Sequence, residues 1–373
     1  MTSISAALST FQTCHYLNSY IPSLLTHIMA NKSSYWVESE DWHTAGEPFR
    51  IIQNPPSGFL PKVQTVSERY LEVTKSKDHP LDRLRIFLSH EPRGHADMYG
   101  GFITPPNDSG GSFGVLFWHK NGFATACGHG TIALGYWAVH KGLVDAPENG
   151  VVDVVIDVPS GRVVASVTRE DGKSIHADFV NVSTYQIAKG LSVRIPSRDS
   201  DIVVDLAFAG AVIASVDTAQ LGLEVEPSNV NDFIRLQREI KASLGDRGEF
   251  DGNKLYAMLF FEEDENTKGP GWIVQKSVNI YGDGQVDRSP CGSGTCGRIA
   301  ILLAQGRLKE SSRLLHHSII GTAFEAEIVS NGQSPLEGFP ACVVRVRGEA
   351  YLVAETRFFI NDEDPVSPGF VLR

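Results

Sequence analysis

Cys127-Gly128-His129-Gly130-Thr131 and Cys291-Gly292-Ser293-Gly294-Thr295 are two copies of one pentapeptide, Cys-Gly-x-Gly-Thr, in a chain of 373 residues. An apolar run follows each copy, Ile132–Val139 after the first and Ile299–Ala304 after the second. Such runs predict helices, so each cysteine falls at a helix N-terminus. Free backbone N–H groups and the positive end of the helix dipole face that position, which predicts a thiol pKa lowered from about 8.5 toward neutrality. The copies stand 164 residues apart (127 to 291), too far for a solenoid repeat and well suited to two domains of similar plan. A pseudo-twofold arrangement would bring both helix N-termini to the cleft between the domains, a common place for a small ligand.

Around these motifs the chain reads as short β-rich runs, from Tyr35 onward, separated by Gly, Pro and Asp turns. Val151–Val158 and Ile202–Phe208 are expected strands, and Val163–Thr168 and Ser174–Val182 flank an Asp171-Gly172 hairpin turn. Val230, Phe233, Ile234, Ile240 and Leu244 recur at helical spacing, with Gly245 as a stop signal. Phe324–Val329 and Ala341–Val346 resemble paired strands. Residues 1–36 read as an N-terminal extension, disordered or loosely packed. Its first 28 residues contain no Lys, Arg, Asp or Glu, and it lacks the basic start and long apolar core of a secretory signal.

Composition narrows the function classes. A hydrophobic content of 42% is ample for substantial cores. The net charge of -11 argues against a nucleic-acid or anionic-membrane surface, both of which call for concentrated Lys and Arg. The five cysteines, Cys14, Cys127, Cys291, Cys296 and Cys342, are odd in number and lack framework spacing. They argue against a disulfide-stapled secreted fold, and working thiols favour a reducing, cytoplasmic setting. No His or Cys pair has metal-ligand spacing, and the glycine strings lack the lysine and strand–turn–helix context of nucleotide sites. Neither a metal nor a cofactor is expected.

Two opposed thiols suit one kind of chemistry. Inverting the α-carbon of an amino acid requires a proton to leave from one face and arrive on the other. A pair of groups can do this without moving, and cysteine supplies both thiol and thiolate near neutral pH once its pKa is tuned. Glycine after each cysteine lets the backbone approach closely, so its N–H groups can grip a carboxylate and stabilise charge that spreads onto it. Cys14, Cys296 and Cys342 read as small packing residues.

The motifs, taken in order, resemble the proline racemase superfamily, which comprises proline racemase, 4-hydroxyproline 2-epimerase and trans-3-hydroxy-L-proline dehydratase. The resemblance is carried by His43-Thr-Ala-Gly-Glu-Pro48, Glu91-Pro-Arg-Gly-His-Ala-Asp-Met-Tyr-Gly100, both cysteine motifs with Asp287-Arg-Ser-Pro290, Ser318-Ile-Ile-Gly321 and Asp364-Pro-Val-Ser-Pro-Gly-Phe370. It implies an α/β (α+β) fold of the diaminopimelate-epimerase-like kind. Two pseudo-symmetric domains would each wrap mixed β-structure around a central helix, the C-terminal segment returning to the first. The expected partition is 37–197 with 353–373, and 198–352, divided at the polar stretch 192–200. The resemblance also implies a homodimer without cofactor and a small-molecule substrate, proline or a hydroxyproline.

Carried onto this sequence, the resemblance makes Cys127 and Cys291 the acid/base positions. It makes Gly128, His129, Gly292 and Ser293 substrate-binding positions, and Asp287 the acid that contacts the ring nitrogen. Dehydratases of the superfamily typically have threonine at the second cysteine position. Cys291 therefore implies racemisation or epimerisation. The alternatives are a trans-3-hydroxy-L-proline dehydratase giving pyrroline-2-carboxylate, or a non-catalytic imino-acid-binding protein. For His43 and Glu47 a turn role weighs at least as much as a catalytic one. Arg93, His95 and Asp97 are expected as solvated or interdomain ion-pairing groups.

Overall fold

The computed structural model describes residues 34–264, 269–308 and 312–372. Cys14 and nearly all of the expected N-terminal extension lie outside the described residues, although Tyr35 and Trp36, at its end, already belong to the first strand. Strand β1 (Tyr35–Thr44) folds back into β2 (Glu47–Ile52) through Ala45 and Gly46, both at positive φ (49° and 92°). Two left-handed residues are what a two-residue type I′ turn requires. The first half continues with helices α1 (Val66–Lys75) and α2 (Pro80–Ser89) and strands β3 (Tyr99–Thr104), β4 (Phe113–His119) and β5 (Gly122–Ala124). Helix α3 (Gly128–His140) follows, then β6 (Gly150–Val158), β7 (Gly161–Glu170) and β8 (Lys173–Val180).

The second half opens with β9 (Thr184–Ile195), β10 (Ser200–Phe208), β11 (Val212–Asp217), helix α4 (Val230–Leu244), β12 (Leu255–Glu263), β13 (Trp272–Tyr281) and β14 (Gln285–Asp287). Helix α5 (Gly292–Ala304) leads to β15 (Arg313–Ser318), β16 (Ala323–Asn331), β17 (Ala341–Gly348) and β18 (Ala350–Ile360).

Strand register exposes an internal repeat. In the first half β1–β2 is antiparallel, β2–β3 parallel, β3–β4–β5 antiparallel, β4–β6 parallel and β6–β7–β8 antiparallel. In the second, β10–β11, β11–β12, β12–β13–β14, β13–β15 and β15–β16–β17 repeat the same order of senses. Parallel neighbours need a crossover, usually helical. Accordingly α1 and α2 span β2 to β3, and α4 spans β11 to β12. The later crossover of each half carries α3 or α5.

The two kinds of crossover differ in pattern. Ile132–Ala138 of α3 and Thr295–Leu302 of α5 are buried on every side. A helix apolar all round must lie inside, and both run through the middle of their half, against its strands. Helix α4 instead buries one stripe, Phe233, Leu236, Ile240 and Leu244, and covers its ring from outside.

Strand β9 closes the second ring by pairing with both β10 and β17. The end of β17 crosses to β8, and the chain runs on as β18 along β1, completing the first ring. The tail returns there too, since Glu91 bridges to Phe370 and Arg93 donates to the Pro368 carbonyl at 2.8 Å. Residues 192–200 form the β9–β10 hairpin, and their polarity marks an exposed tip. Following the pairing, we propose a partition into 34–182 with 349–372, and 183–348. Among the described residues no helix is long and apolar enough to cross a membrane.

Candidate active site

Each pentapeptide forms the N-terminus of a central helix. Cys127 is the N-cap of α3, and its sulfur accepts from the Gly130 N–H at 3.2 Å. Cys291 caps α5 in the same way, accepting from Gly294 at 3.3 Å. The motif's threonine adds a further bond to each cap. Thr131 Oγ1 donates to the Cys127 carbonyl at 2.8 Å, and Thr295 Oγ1 to the Pro290 carbonyl at 3.3 Å.

The glycines after the cysteines bring the two helices together. A Cβ added to Gly128 would sit 2.8 Å from Phe179 Cζ, and one added to Gly292 would sit 2.9 Å from the same atom. Each would also lie 3.4 Å from the Cα of the other glycine. Helices α3 and α5 thus meet N-terminus to N-terminus, with the Phe179 ring of β8 against both. The unbonded N–H groups of two first turns face one region, an arrangement that favours an anion.

Burial decides the electrostatics, and it reverses the expected direction of the thiol shifts. Cys127 is pushed up, first by desolvation and then by the nearby charges of Asp287 and Glu47, against the lowering effect of the Gly130 N–H and the Tyr99 hydroxyl. Cys291 is raised well above the ordinary thiol value by desolvation and by Asp287, with the Gly294 N–H opposing. A single helix N-terminus cannot outweigh removal of the thiolate from water.

Asp287, at the end of β14, is itself driven up to about 6 by burial, although the Ser289 N–H and hydroxyl hold it down. Both bonds from Ser289 reach Asp287 Oδ1, at 2.8 and 2.7 Å, and the Ser289 oxygen accepts from the Cys291 N–H at 3.1 Å. The charge of Asp287 acts on both thiols, so the structure brings these three sequence-selected residues into one electrostatic unit.

His129 lies with Nδ1 3.3 Å from the Cys127 sulfur, and burial lowers its pKa to about 3. A ring nitrogen bonds the Pro48 carbonyl, so the neutral ring carries its proton there and keeps one acceptor nitrogen. Ser293 is half-buried in the first turn of α5.

Other residues weighed in the sequence fall into place. His43 serves the turn, its Nδ1 accepting from the Gly46 N–H at 3.2 Å. Arg93 ties down the tail through the Phe87 and Pro368 carbonyls and Asp364. Asp97 pairs with Arg288 at 2.9 Å and accepts from the Val286 N–H at 3.2 Å, joining the two halves. Glu47 is wholly buried beside the site, a position its turn did not foretell. Cys296 and Cys342 are buried packing residues.

Sequence reasoning missed an aromatic wall. Tyr99 hydrogen-bonds Cys127 and Tyr256, and Tyr256 stacks on Tyr281 with centroids 6.0 Å apart. Tyr99 stood inside the Glu91–Gly100 stretch, but nothing in the sequence assigned it to the thiol. Phe179 carried no signal, because an alternating strand residue looks the same whatever it faces. Among the described residues no group of three or more His, Cys, Asp or Glu side chains is placed to hold a metal ion.

The sequence matches the family described as proline racemase over residues 40–371. It is 35% identical over 348 residues to proline racemase of Clostridioides difficile, covering 92% of this chain and all (100%) of that protein. It is 34% identical over 342 residues to trans-3-hydroxy-L-proline dehydratase of Bacillus cereus, with 89% and 97% covered. The crystal structure of a hydroxyproline epimerase from Agrobacterium vitis, with bound trans-4-hydroxy-L-proline, is similar at a TM-score of 0.77 and 25% identity, over 90% of this chain and 96% of that one. A phenazine-biosynthesis PhzF-family structure from Bacillus anthracis shares the fold, with a TM-score of 0.54 at 11% identity over 87% of this chain and 100% of that one. By its matched length, its identity to these enzymes and its paired rings around two central helices, this chain belongs to the proline racemase family.

Proposed function

We propose that this enzyme inverts the α-carbon of proline or a hydroxyproline without a cofactor, using Cys127 and Cys291 as opposed proton-transfer groups. The observation that carries the reading is the contact of Gly128 with Gly292, which sets two cysteine-capped helix N-termini against each other. The substrate carboxylate suits the N–H groups at Gly128, His129, Gly292 and Ser293, where two helix dipoles converge. Its ring ammonium pairs with Asp287.

That pairing bears on the thiols. The charge of Asp287 contributes to raising both, and an ammonium beside it cancels that contribution. The sulfur that carries the thiolate, no longer repelled by Asp287, then takes the α-proton, while the other sulfur, a thiol, delivers one to the opposite face and is left as the thiolate. The helix N–H groups stabilise the negative charge that moves onto the carboxylate between the two transfers.

A thiol at residue 291 favours inversion over elimination, because loss of a C3 hydroxyl calls for one base and no donor on the far side. Curated relatives of both kinds are about equally similar in sequence, so the reacting atoms are the better guide. A cytoplasmic setting belongs to the same proposal, because two working thiols must stay reduced. A homodimer belongs to it by resemblance to the family.

Each L-isomer of proline, 4-hydroxyproline and 3-hydroxyproline, incubated in deuterated water, provides the test. The expected result is deuterium at Cα together with the D-configured product, abolished in Cys127→Ser. Pyrroline-2-carboxylate from trans-3-hydroxy-L-proline without inversion would overturn the proposal in favour of the dehydratase. Absence of any turnover would favour a binding protein.

A further inference from the structure

Glu47 is completely buried, yet only half of its carboxyl group is used by the protein. Oε2 accepts from the Arg288 N–H at 2.7 Å, while Oε1 is buried with no hydrogen-bond partner among the described residues. The Tyr281 hydroxyl is buried and unpartnered in the same way. Leaving such a carboxyl oxygen unmatched is costly, so the position calls for a ligand or a proton.

Its surroundings say which ligand. Arg288 is the neighbour of Asp287 in sequence, so the Glu47 carboxyl sits one peptide away from the residue proposed to hold the ring nitrogen. Glu47 comes from the first ring, as does Cys127, and Asp287 comes from the second, as does Cys291. The charged groups acting on Glu47 are Asp287, Arg288 and Asp97, and the Glu47 charge reaches the hydroxyl of Tyr281 on β13. Three carboxyl groups thus face one guanidinium. Burial, and then Asp287, raise Glu47 well above the ordinary carboxyl range, with Arg288 opposing. The site is short of positive charge.

We infer that Glu47 is the second carboxylate for the substrate's ring nitrogen, taking through Oε1 one N–H of the secondary ammonium while Asp287 takes the other. The inference rests on the imino-acid reading above. In the free enzyme Glu47 and Asp287 hold one proton between them. The incoming zwitterion brings a cation that lets both ionise, and that proton is released to solvent. Affinity therefore rises with pH until the pair is fully ionised, then levels off.

Glu47→Gln is the discriminating variant, since its amide oxygen can still accept from Arg288. Deuterium exchange by the unmodified enzyme first establishes the activity; its absence would reject the functional reading rather than this one. Given that activity, the variant is expected to raise KM roughly 10- to 100-fold with a smaller change in kcat, and to flatten the pH dependence of KM. A merely structural Glu47 would leave KM and its pH profile unchanged, and that result would overturn the inference.

A second measurement needs no variant. Calorimetry of the unmodified enzyme in buffers of different ionisation enthalpy should show about one proton released on binding racemic proline. Pyrrole-2-carboxylate, whose single N–H is uncharged, should release none. Equal proton release by the two ligands would overturn the inference even if the variant failed to fold.

Discussion

Cys291 sits at φ 65° and ψ 122°, a sparsely populated positive-φ conformation that costs a non-glycine residue about 1–3 kcal/mol, whereas Cys127 reaches the same N-cap role at φ −158° without strain. The second thiol is held in place by its surroundings, including the Ser289 bond to its own N–H. Glycine is demanded beside each. Gly128→Ala or Gly292→Ala drives a methyl group into the Phe179 ring, and each is expected to cost roughly 1–3 kcal/mol of stability. Because the contact sets the spacing of the two helix N-termini, activity should fall on the order of 100-fold. Adding Phe179→Ala should recover stability more than turnover. Denaturant unfolding and kcat/KM on the same proteins test this, and an alanine variant with full activity would remove the helix contact from the account.

The elements divide by pattern into those that could be foreseen and those that could not. The strands at 151–158, 163–168 and 202–208 and the hairpin at Asp171-Gly172 fall where alternation and turn chemistry put them. Helix α4 ends at Gly245, as its stop signal implies. The capping box of α1 is a local feature of the same kind. Thr65 Oγ1 accepts from the Glu68 N–H at 3.2 Å, and Glu68 Oε2 from the Thr65 N–H at 2.9 Å. Thr65→Ala should cost about 1 kcal/mol and leave KM and kcat unchanged, because α1 lies outside its ring. A large loss of activity would mean that α1 is coupled to the site. The polar stretch 192–200 lies in the β9–β10 hairpin, and a polar hairpin tip and a linker have the same composition.

At the scale of the whole molecule, two closed rings bury a set of acids that unpaired would stay in water. Asp287 reaches about 6 in the folded protein against an ordinary 3.8, so the native state binds its proton more tightly than the unfolded chain does. A raised carboxyl pKa contributes stability that is fully present below about 4 and is lost as pH rises through about 6. The stability of the natural protein relative to Asp287→Asn should therefore decline between those limits, as denaturant unfolding across that range would measure. A difference independent of pH would mean that Asp287 is not desolvated as described.

The amino-acid sequence alone determined what a few neighbouring residues can determine. It established two cysteine-capped helices, the strands and turns around them, and the duplicated plan that a repeated pentapeptide implies. Those features depend on periodicity and backbone preference within a turn or two. Tertiary structure alone decided that Gly128 touches Gly292, that Glu47 stands beside Asp287, and that burial moves the thiols up when the helix dipole would move them down. Each of these depends on which distant segments exclude water from one another once the rings close, and no local pattern encodes that.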